Sequence, residues 1–189
     1  MEQTKPLKIG ILGEMRAGKD TVKELLTHEL NKLSFGTWEF QFSTGIHWII
    51  KTFMPHLYDE GKPREALQYI GEVMRKFDPD VWINYLFQTT LFRFANRTRK
   101  TNMIVSDVRQ PNEVKRLKEE GFIIIKVIAP YEVRVERARS AGDSFNKDSF
   151  NHETEKIVHS CEFDYVIENA GSIDELEKSI TALLGKVIK

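Results

Sequence analysis

The stretch Ile9-Gly10-Ile11-Leu12-Gly13-Glu14-Met15-Arg16-Ala17-Gly18-Lys19-Asp20 decides how this chain reads. An apolar run with strand character ends at Gly13, and Leu25, Leu26, Leu30 and Leu33 follow at helical spacing. Strand, loop and helix in that order give the pattern Gly-x-x-x-x-Gly-Lys its meaning as a P-loop. Gly13 and Gly18 let the backbone turn close to an anion, so that the amides through Arg16, Ala17 and Gly18 wrap phosphate oxygens. Lys19 adds a mobile positive charge, and the helix behind it aims its positive dipole end at the same place. A nucleoside triphosphate is the implied ligand. One position departs from the pattern: Asp20 stands where Ser or Thr ordinarily holds magnesium. A carboxylate also meets that ion, directly or through water, and Thr21 offers a hydroxyl one position later. The sequence leaves open which of the two faces the metal.

Around that motif the chain has 189 residues, one domain's worth, with 28 acidic and 28 basic side chains. Balanced charge gives no global field for nucleic acid or a membrane surface. The single cysteine, Cys161, leaves no internal disulfide framework. With a polar start from Met1 to Lys8 and no long apolar run, the expectation is a cytoplasmic protein.

Apolar runs predict strands at Leu7–Leu12, Trp38–Phe42, Met103–Ser106, Phe122–Ala129 and Tyr165–Glu168. Helical periodicity predicts helices near 19–34, 44–54, 63–77, 80–95, 110–120, 131–140 and 173–187. Alternation of this kind makes a parallel sheet covered by helices on both faces. Such sheets gather ligands at the carboxyl ends of their strands. The P-loop, Asp107 and Asn169 follow the first, third and fifth runs. The expected fold is therefore α/β, a three-layer α/β/α P-loop domain over 1–189 with five parallel strands.

Two further clusters carry charge. Asp107 ends a buried-looking strand, where P-loop proteins place an aspartate for magnesium; a turn or helix N-cap is the plainer alternative. Arg109 could present its planar fork to a phosphate, or pair with Glu113 at helical spacing. Later, Arg134 and Arg137 share a helix face, with Arg139 displaced around it and Glu136 between. A solvated charged face is one reading. The other is an arginine-bearing lid at about 138–153 with Gly142 as hinge, and Arg137 as the first candidate. His152 reads as a loop residue rather than a base.

Several segments together resemble the phage-type deoxynucleoside monophosphate kinases, a branch of the P-loop nucleotide kinases. They are Arg16-Ala17-Gly18-Lys19-Asp20-Thr21, Leu67-Gln68-Tyr69-Ile70-Gly71 with Asp80-Val81-Trp82, and Ser106-Asp107-Val108-Arg109-Gln110 with Asn112-Glu113. Asn151-His152-Glu153-Thr154-Glu155 and Asp164-Tyr165-Val166-Ile167-Glu168-Asn169, with Gly171-Ser172 and Glu175-Leu176, extend the likeness. The resemblance implies ATP and magnesium, with phosphoryl transfer to a small phosphate acceptor, a nucleoside monophosphate. It places Gly18, Lys19, Asp20 and Thr21 at the triphosphate, Asp107 and Arg109 near the phosphates, and Asn169, Ala170 and Gly171 near the adenine. The acceptor would enter over helices within about 43–95, near Ser43, Thr44, Gly45 and Lys51. Trp48, Phe53 and Trp82 could stack a base there, although each reads better as core.

The chain is shorter than the phage enzymes between its second and third strands, where acceptor selectivity resides. Phosphomevalonate and dephospho-coenzyme A kinases share the layout, so another phosphorylated metabolite is the alternative acceptor. A nucleotide-binding protein without acceptor activity is the rival of a different class. No Asn-Lys-x-Asp guanine-reading segment supports a GTPase. Acceptor identity and oligomeric state stay open.

Overall fold

The structure is a computed structural model that describes residues 5–33, 35–98, 101–141 and 157–188. Five parallel strands run β1 (Lys8–Gly13), β2 (Thr37–Phe40), β3 (Asn102–Val108), β4 (Ile123–Ile128) and β5 (Tyr165–Glu168). They lie in the order β2-β3-β1-β4-β5, so β1 and its loop occupy the middle of the sheet. The inner strands β1, β3 and β4 are mostly apolar and buried because both faces are covered, while the edge strands β2 and β5 keep exposed residues such as Glu39 and Glu168. Ile9 and Ile11 point to one face; Leu12 belongs to the core of the other, and all three are at most 1% exposed. Burying each contributes roughly 1.5–3 kcal/mol.

One layer is α1 (Lys19–Asn31) with α8 (Ile173–Val187), packed through Val22, Leu26, Leu30, Leu176 and Ile180. The other holds α2 (Thr44–Phe53), α3 (Arg64–Phe77), α4 (Val81–Gln88), α5 (Thr90–Thr98) and α6 (Pro111–Glu119). The helix α7 (Tyr131–Ser140) brings Ala138 against Met15 of the P-loop. This is the three-layer α/β/α arrangement expected.

The elements differ from the sequence reading in two instructive places. The helix expected over 80–95 is broken at Thr89, whose backbone is extended at φ −60, ψ 139. Its hydroxyl accepts the Phe92 N–H at 3.4 Å, so a residue buried in an apolar pattern acts as the cap of a new helix. Second, β3 runs on to Val108, which puts Asp107 inside the strand rather than after it. The register explains how it still reaches the site. Gly10 pairs with Val105 but Leu12 with Val108, so β3 carries one extra residue at a bulge beside Asp107.

The motif of Gly71 with Trp82 has a packing origin. The indole N–H of Trp82, 3% exposed, donates to the Gly71 carbonyl at 3.1 Å and ties α4 to α3. Trp82 is core, as expected. Trp48 and Phe53 are not: they are 55% and 69% exposed on α2, edge to face with each other. At helical spacing Trp48 lies opposite Ile46 and Ile50, which take the core side, whereas Phe53 shares their side but is the last residue of α2.

Candidate active site

The P-loop leaves β1 at Gly13 and enters α1 at Lys19. Gly18 has φ 91, and a Cβ there would stand 2.0 Å from the Asn169 Nδ2, so only glycine fits. Arg16 also takes the left-handed region at φ 61, a conformation a long side chain seldom adopts. Side chains hold this backbone in place. From Gly13 to Ala17 every carbonyl accepts a side-chain hydrogen bond. Lys19 Nζ donates to Gly13 O at 2.6 Å and to Glu14 O at 2.8 Å. Arg134 Nη1 donates to Met15 O at 3.4 Å, and Arg137 Nη1 to Arg16 O and Ala17 O at 3.5 and 3.4 Å. Asn169 Nδ2 donates to Ala17 O at 2.9 Å.

The residues expected at the triphosphate therefore divide by location. Arg134 is 6% exposed and paired with Glu14 at 2.9 Å, a brace on the loop. Arg137 also reaches Asn169, its Nη2 donating to the backbone and side-chain oxygens at 3.1 Å each. Arg139 is on the solvated side with Glu136 at 3.9 Å, both side chains more than two-thirds exposed. Asn169 is buried, whereas Ala170 and Gly171 are exposed in the turn before α8. Asp20 is exposed on the first turn of α1 and Thr21 half-buried. Of the lid expected at 138–153, residues 142–153 lie outside the described residues, including Asp143, Lys147, His152 and Glu153.

Beside Met15 opens a cavity of about 180 Å³. Asp107 of β3 and Arg109 just after it line one side, Ser43, Ile46 and His47 at the start of α2 a second, and Arg64, Gln68, Glu72 and Arg75 of α3 a third. Both Asp107 oxygens accept backbone N–H groups, from Phe42 at 2.8 Å and Ser43 at 2.9 Å, which ties the entry of α2 to the sheet. Asp107 is thus not the cap of α6. Glu113 does that work: its Oε2 accepts the N–H of Arg109 at 2.8 Å and of Gln110 at 3.0 Å. The expected surface pair of Arg109 with Glu113 is absent in that form, because Glu113 is 3% exposed and its Oε1 meets Arg75 Nη2 at 3.5 Å.

Charge in the cavity is mutually felt. Lys62 at the mouth has its pKa lowered, first by desolvation and then by Arg64, while Asp20 and Asp107 act in the opposite sense. The P-loop carboxylate and the strand carboxylate thus both act on Lys62. His47, touching the Tyr58 hydroxyl, has its pKa lowered chiefly by burial and next by Lys62, which favours the neutral ring. Burial raises the Glu113 carboxyl to about 7.

Sequence reasoning missed Lys62, Arg64, Gln68, Glu72 and Arg75. The signal was present: polar residues at 64, 68, 72 and 75 repeat at helical spacing along one face of α3. Lys51 and Thr44, expected near the acceptor, are exposed outside the cavity lining; Gly45 instead packs against Trp82 and Tyr85.

Residues 64–180 match the model of the family described as deoxynucleotide monophosphate kinase. The chain belongs to the deoxynucleotide monophosphate kinase family. In this family member the matched span covers α3, Asp107, Arg109, Glu113, Arg137 and Asn169, and the P-loop precedes it. An uncharacterized protein, ORF76 of Ictalurid herpesvirus 1 (strain Auburn), is 27% identical over 119 residues. That match takes in 61% of this chain and 46% of the viral protein, so the chain spans about half of that relative's length. The fold is shared with a shikimate kinase from Acinetobacter baumannii, solved with shikimate, at TM-score 0.56 and 17% identity over 99% of this chain and 97% of that one. Protein TT1252 from Thermus thermophilus gives 0.58 and 19% over 98% and 100%. The tunicamycin resistance protein of Deinococcus radiodurans gives 0.54 and 21% over 96% of each.

Among the described residues no three His, Cys, Asp or Glu side chains converge as a metal-binding group, and no helix is long and apolar enough to cross a membrane. Magnesium keeps waters and phosphate oxygens and takes one or two carboxylates from protein, a number that Asp20, exposed on α1, and Asp107 can supply.

Proposed function

We propose that this kinase-family protein transfers the terminal phosphoryl group of ATP to a nucleoside or deoxynucleoside monophosphate, giving the diphosphate. The cavity carries the reading. It begins at the P-loop residue Met15 and is lined by Lys62, Arg64, Arg75 and Arg109, cations from separate chain segments that suit a second phosphate. Phe42, Ile46 and Leu67 add apolar surface for a base or sugar.

The chain's own groups would then act by position and charge. Lys19 would move from the Gly13 and Glu14 carbonyls to the outer phosphates of the donor. Arg109, and Arg137 beside the loop, would neutralise the oxygens of the transferring group. Asp20 or Thr21, with Asp107, would hold magnesium, which supplies charge neutralisation across the donor phosphates. The acceptor phosphate is already ionised at neutral pH, so no strong base is required, in keeping with a neutral His47. The buried Asn169, bonded to Ala17, would stand nearest the nucleoside of ATP, with Ala170 and Gly171 at the rim.

A screen with ATP and magnesium against every ribo- and deoxynucleoside monophosphate, dephospho-coenzyme A and phosphomevalonate tests this. ADP and a nucleoside diphosphate should appear in equal amounts. Product from only dephospho-coenzyme A or phosphomevalonate would replace the acceptor, and ATP hydrolysis alone would remove it.

A further inference from the structure

We propose that Glu113 is a positioning residue for the acceptor phosphate, locking Arg75 of α3 to the Arg109 turn so that both guanidiniums address one cavity. The inference rests on the phosphotransfer reading above and deepens its acceptor side.

The local role of Glu113 is ordinary. At the third position of α6 a glutamate caps the helix through the N–H groups before it. What exceeds capping is the division of labour between its two oxygens. Oε2 takes both backbone bonds, from Arg109 at 2.8 Å and Gln110 at 3.0 Å. Oε1 is left for Arg75, 38 residues away in sequence, at 3.5 Å. A helix cap needs no burial, yet Glu113 is 3% exposed, and a carboxylate at that depth is costly unless a cation compensates it. Arg75 is that cation, and its side chain keeps 27% of its surface open on the cavity side.

Arg75 lies in the last turn of α3, where a long side chain is otherwise drawn to the helix carbonyl end or to water. Glu113 fixes it before any ligand arrives. A guanidinium already held by one edge loses less rotamer freedom when its other N–H groups take a phosphate. The same carboxylate fixes the backbone from which Arg109 projects, so one buried group sets the spacing of two phosphate-facing arginines. Glu113 itself touches neither phosphate in this scheme.

Substitution Glu113→Gln isolates the proposal. The amide oxygen still accepts the two backbone N–H groups, while its NH2 confronts the Arg75 guanidinium with a second donor. With the acceptor found by the screen, its KM should rise about 10–100-fold, the effect of losing a charge-assisted bond. The KM for ATP and kcat should stay within about twofold, because the substitution leaves the donor loop untouched. Because Glu113 acts through Arg75, the double variant with Arg75→Ala should have the acceptor KM of Arg75→Ala alone. Additive losses, or equal rises in both KM values, overturn the inference. If Glu113→Gln fails to fold, Arg75→Lys keeps charge without the fork and should raise only the acceptor KM; an unchanged KM overturns it.

If the wild type phosphorylates none of the acceptors, the functional reading fails and the positioning role is decided separately. Inorganic phosphate is then titrated into labelled protein and the arginine Nε–H resonances are followed. A shift at Arg75 in the wild type that is lost in Glu113→Gln (or in Arg75→Lys, where that side chain is gone, a lost shift at Arg109) supports the role. No shift, or one that persists, overturns it.

Discussion

The P-loop and the cavity proposed for the acceptor meet at Met15, but they are built in opposite ways. The loop is one continuous stretch whose carbonyls from Gly13 to Ala17 are all taken by Lys19, Arg134, Arg137 and Asn169. Its backbone acceptors are satisfied within the fold. The cavity draws charge from Lys62, Arg64, Arg75, Asp107, Arg109 and Glu113, on two stretches of chain, 62–75 and 107–113, which with α2 are held together by a few polar links. On the function proposed, a contiguous loop suits a donor common to many kinases, and a cavity assembled across segments can change its acceptor through substitutions on α3 alone.

The sharpest way to separate the halves is Lys19→Met. Lys19 is the loop's mobile charge, and its loss should lower kcat/KM by about a thousandfold or more. The fold should survive, because its two bonds, to Gly13 O and Glu14 O, are local to the loop and only partly buried. Circular dichroism and steady-state kinetics check both halves of that statement. Full activity in this variant would sink the phosphotransfer mechanism.

Next in size is Asn169→Ala. It removes the donor to Ala17 O and an acceptor for Arg137 at once, in a buried place. Stability should fall by about 1–3 kcal/mol, and the KM for ATP should rise while that of the acceptor holds. A change confined to the acceptor would mean that the two halves are not independent.

These two residues were legible in the sequence to different degrees, for physical reasons. Lys19 sits in a contiguous motif whose spacing encodes its geometry. Asn169 was found as the residue after the last strand and, through the family resemblance, near the adenine, but its hold on Ala17 was not foreseen. The sheet was readable because strands buried on both faces are continuous apolar runs, and helices between them force parallel order. Its bulge at Asp107 was not, since one extra residue in β3 leaves no trace in an apolar pattern. The helices within 43–95 were expected to meet the acceptor, but the cavity-lining residues of α3 were not singled out, because an amphipathic helix carrying Arg64, Gln68, Glu72 and Arg75 looks like a helix facing water. Trp48 and Phe53 misled in the other direction: aromatic side chains argue for burial, but Ile46 and Ile50 already filled the core side of α2.

The cavity side has its own signature in pH. Glu113 titrates near 7 in the folded protein, raised first by burial, against 4.5 for the unconstrained group. Arg75 from α3 and the N–H groups of Arg109 and Gln110 oppose that rise, Asp107 from β3 adds to it, and Cys161 is the remaining titratable neighbour. The folded state therefore holds a proton that the unfolded state releases between about pH 4.5 and 7. Its stabilising effect is complete below 4.5 and is lost as pH rises through 7. Relative to Glu113→Gln, wild-type stability should fall across that window by an amount on the order of 3 kcal/mol. Denaturant unfolding at several pH values measures it. Parallel curves for the two proteins would show that Glu113 stays charged throughout, held fully by Arg75.

The smallest effect is expected at Arg139, and it tests how far the donor half extends. Arg137 and Arg139 are two residues apart on α7, yet one is bonded to Arg16, Ala17 and Asn169 while the other faces water beside Glu136. An exposed pair at 3.9 Å contributes little, so Arg139→Ala should change stability by less than about 0.5 kcal/mol and leave kinetics unaltered. Arg137→Ala should instead raise the KM for ATP and lower kcat, since it frees the loop carbonyls and removes charge beside the phosphates. A drop in kcat from Arg139→Ala comparable with that from Arg137→Ala would mean that the helix end turns toward the phosphates during turnover. The donor half would then include a moving part, and its satisfied carbonyls would describe only the state in which Arg137 is docked on Asn169.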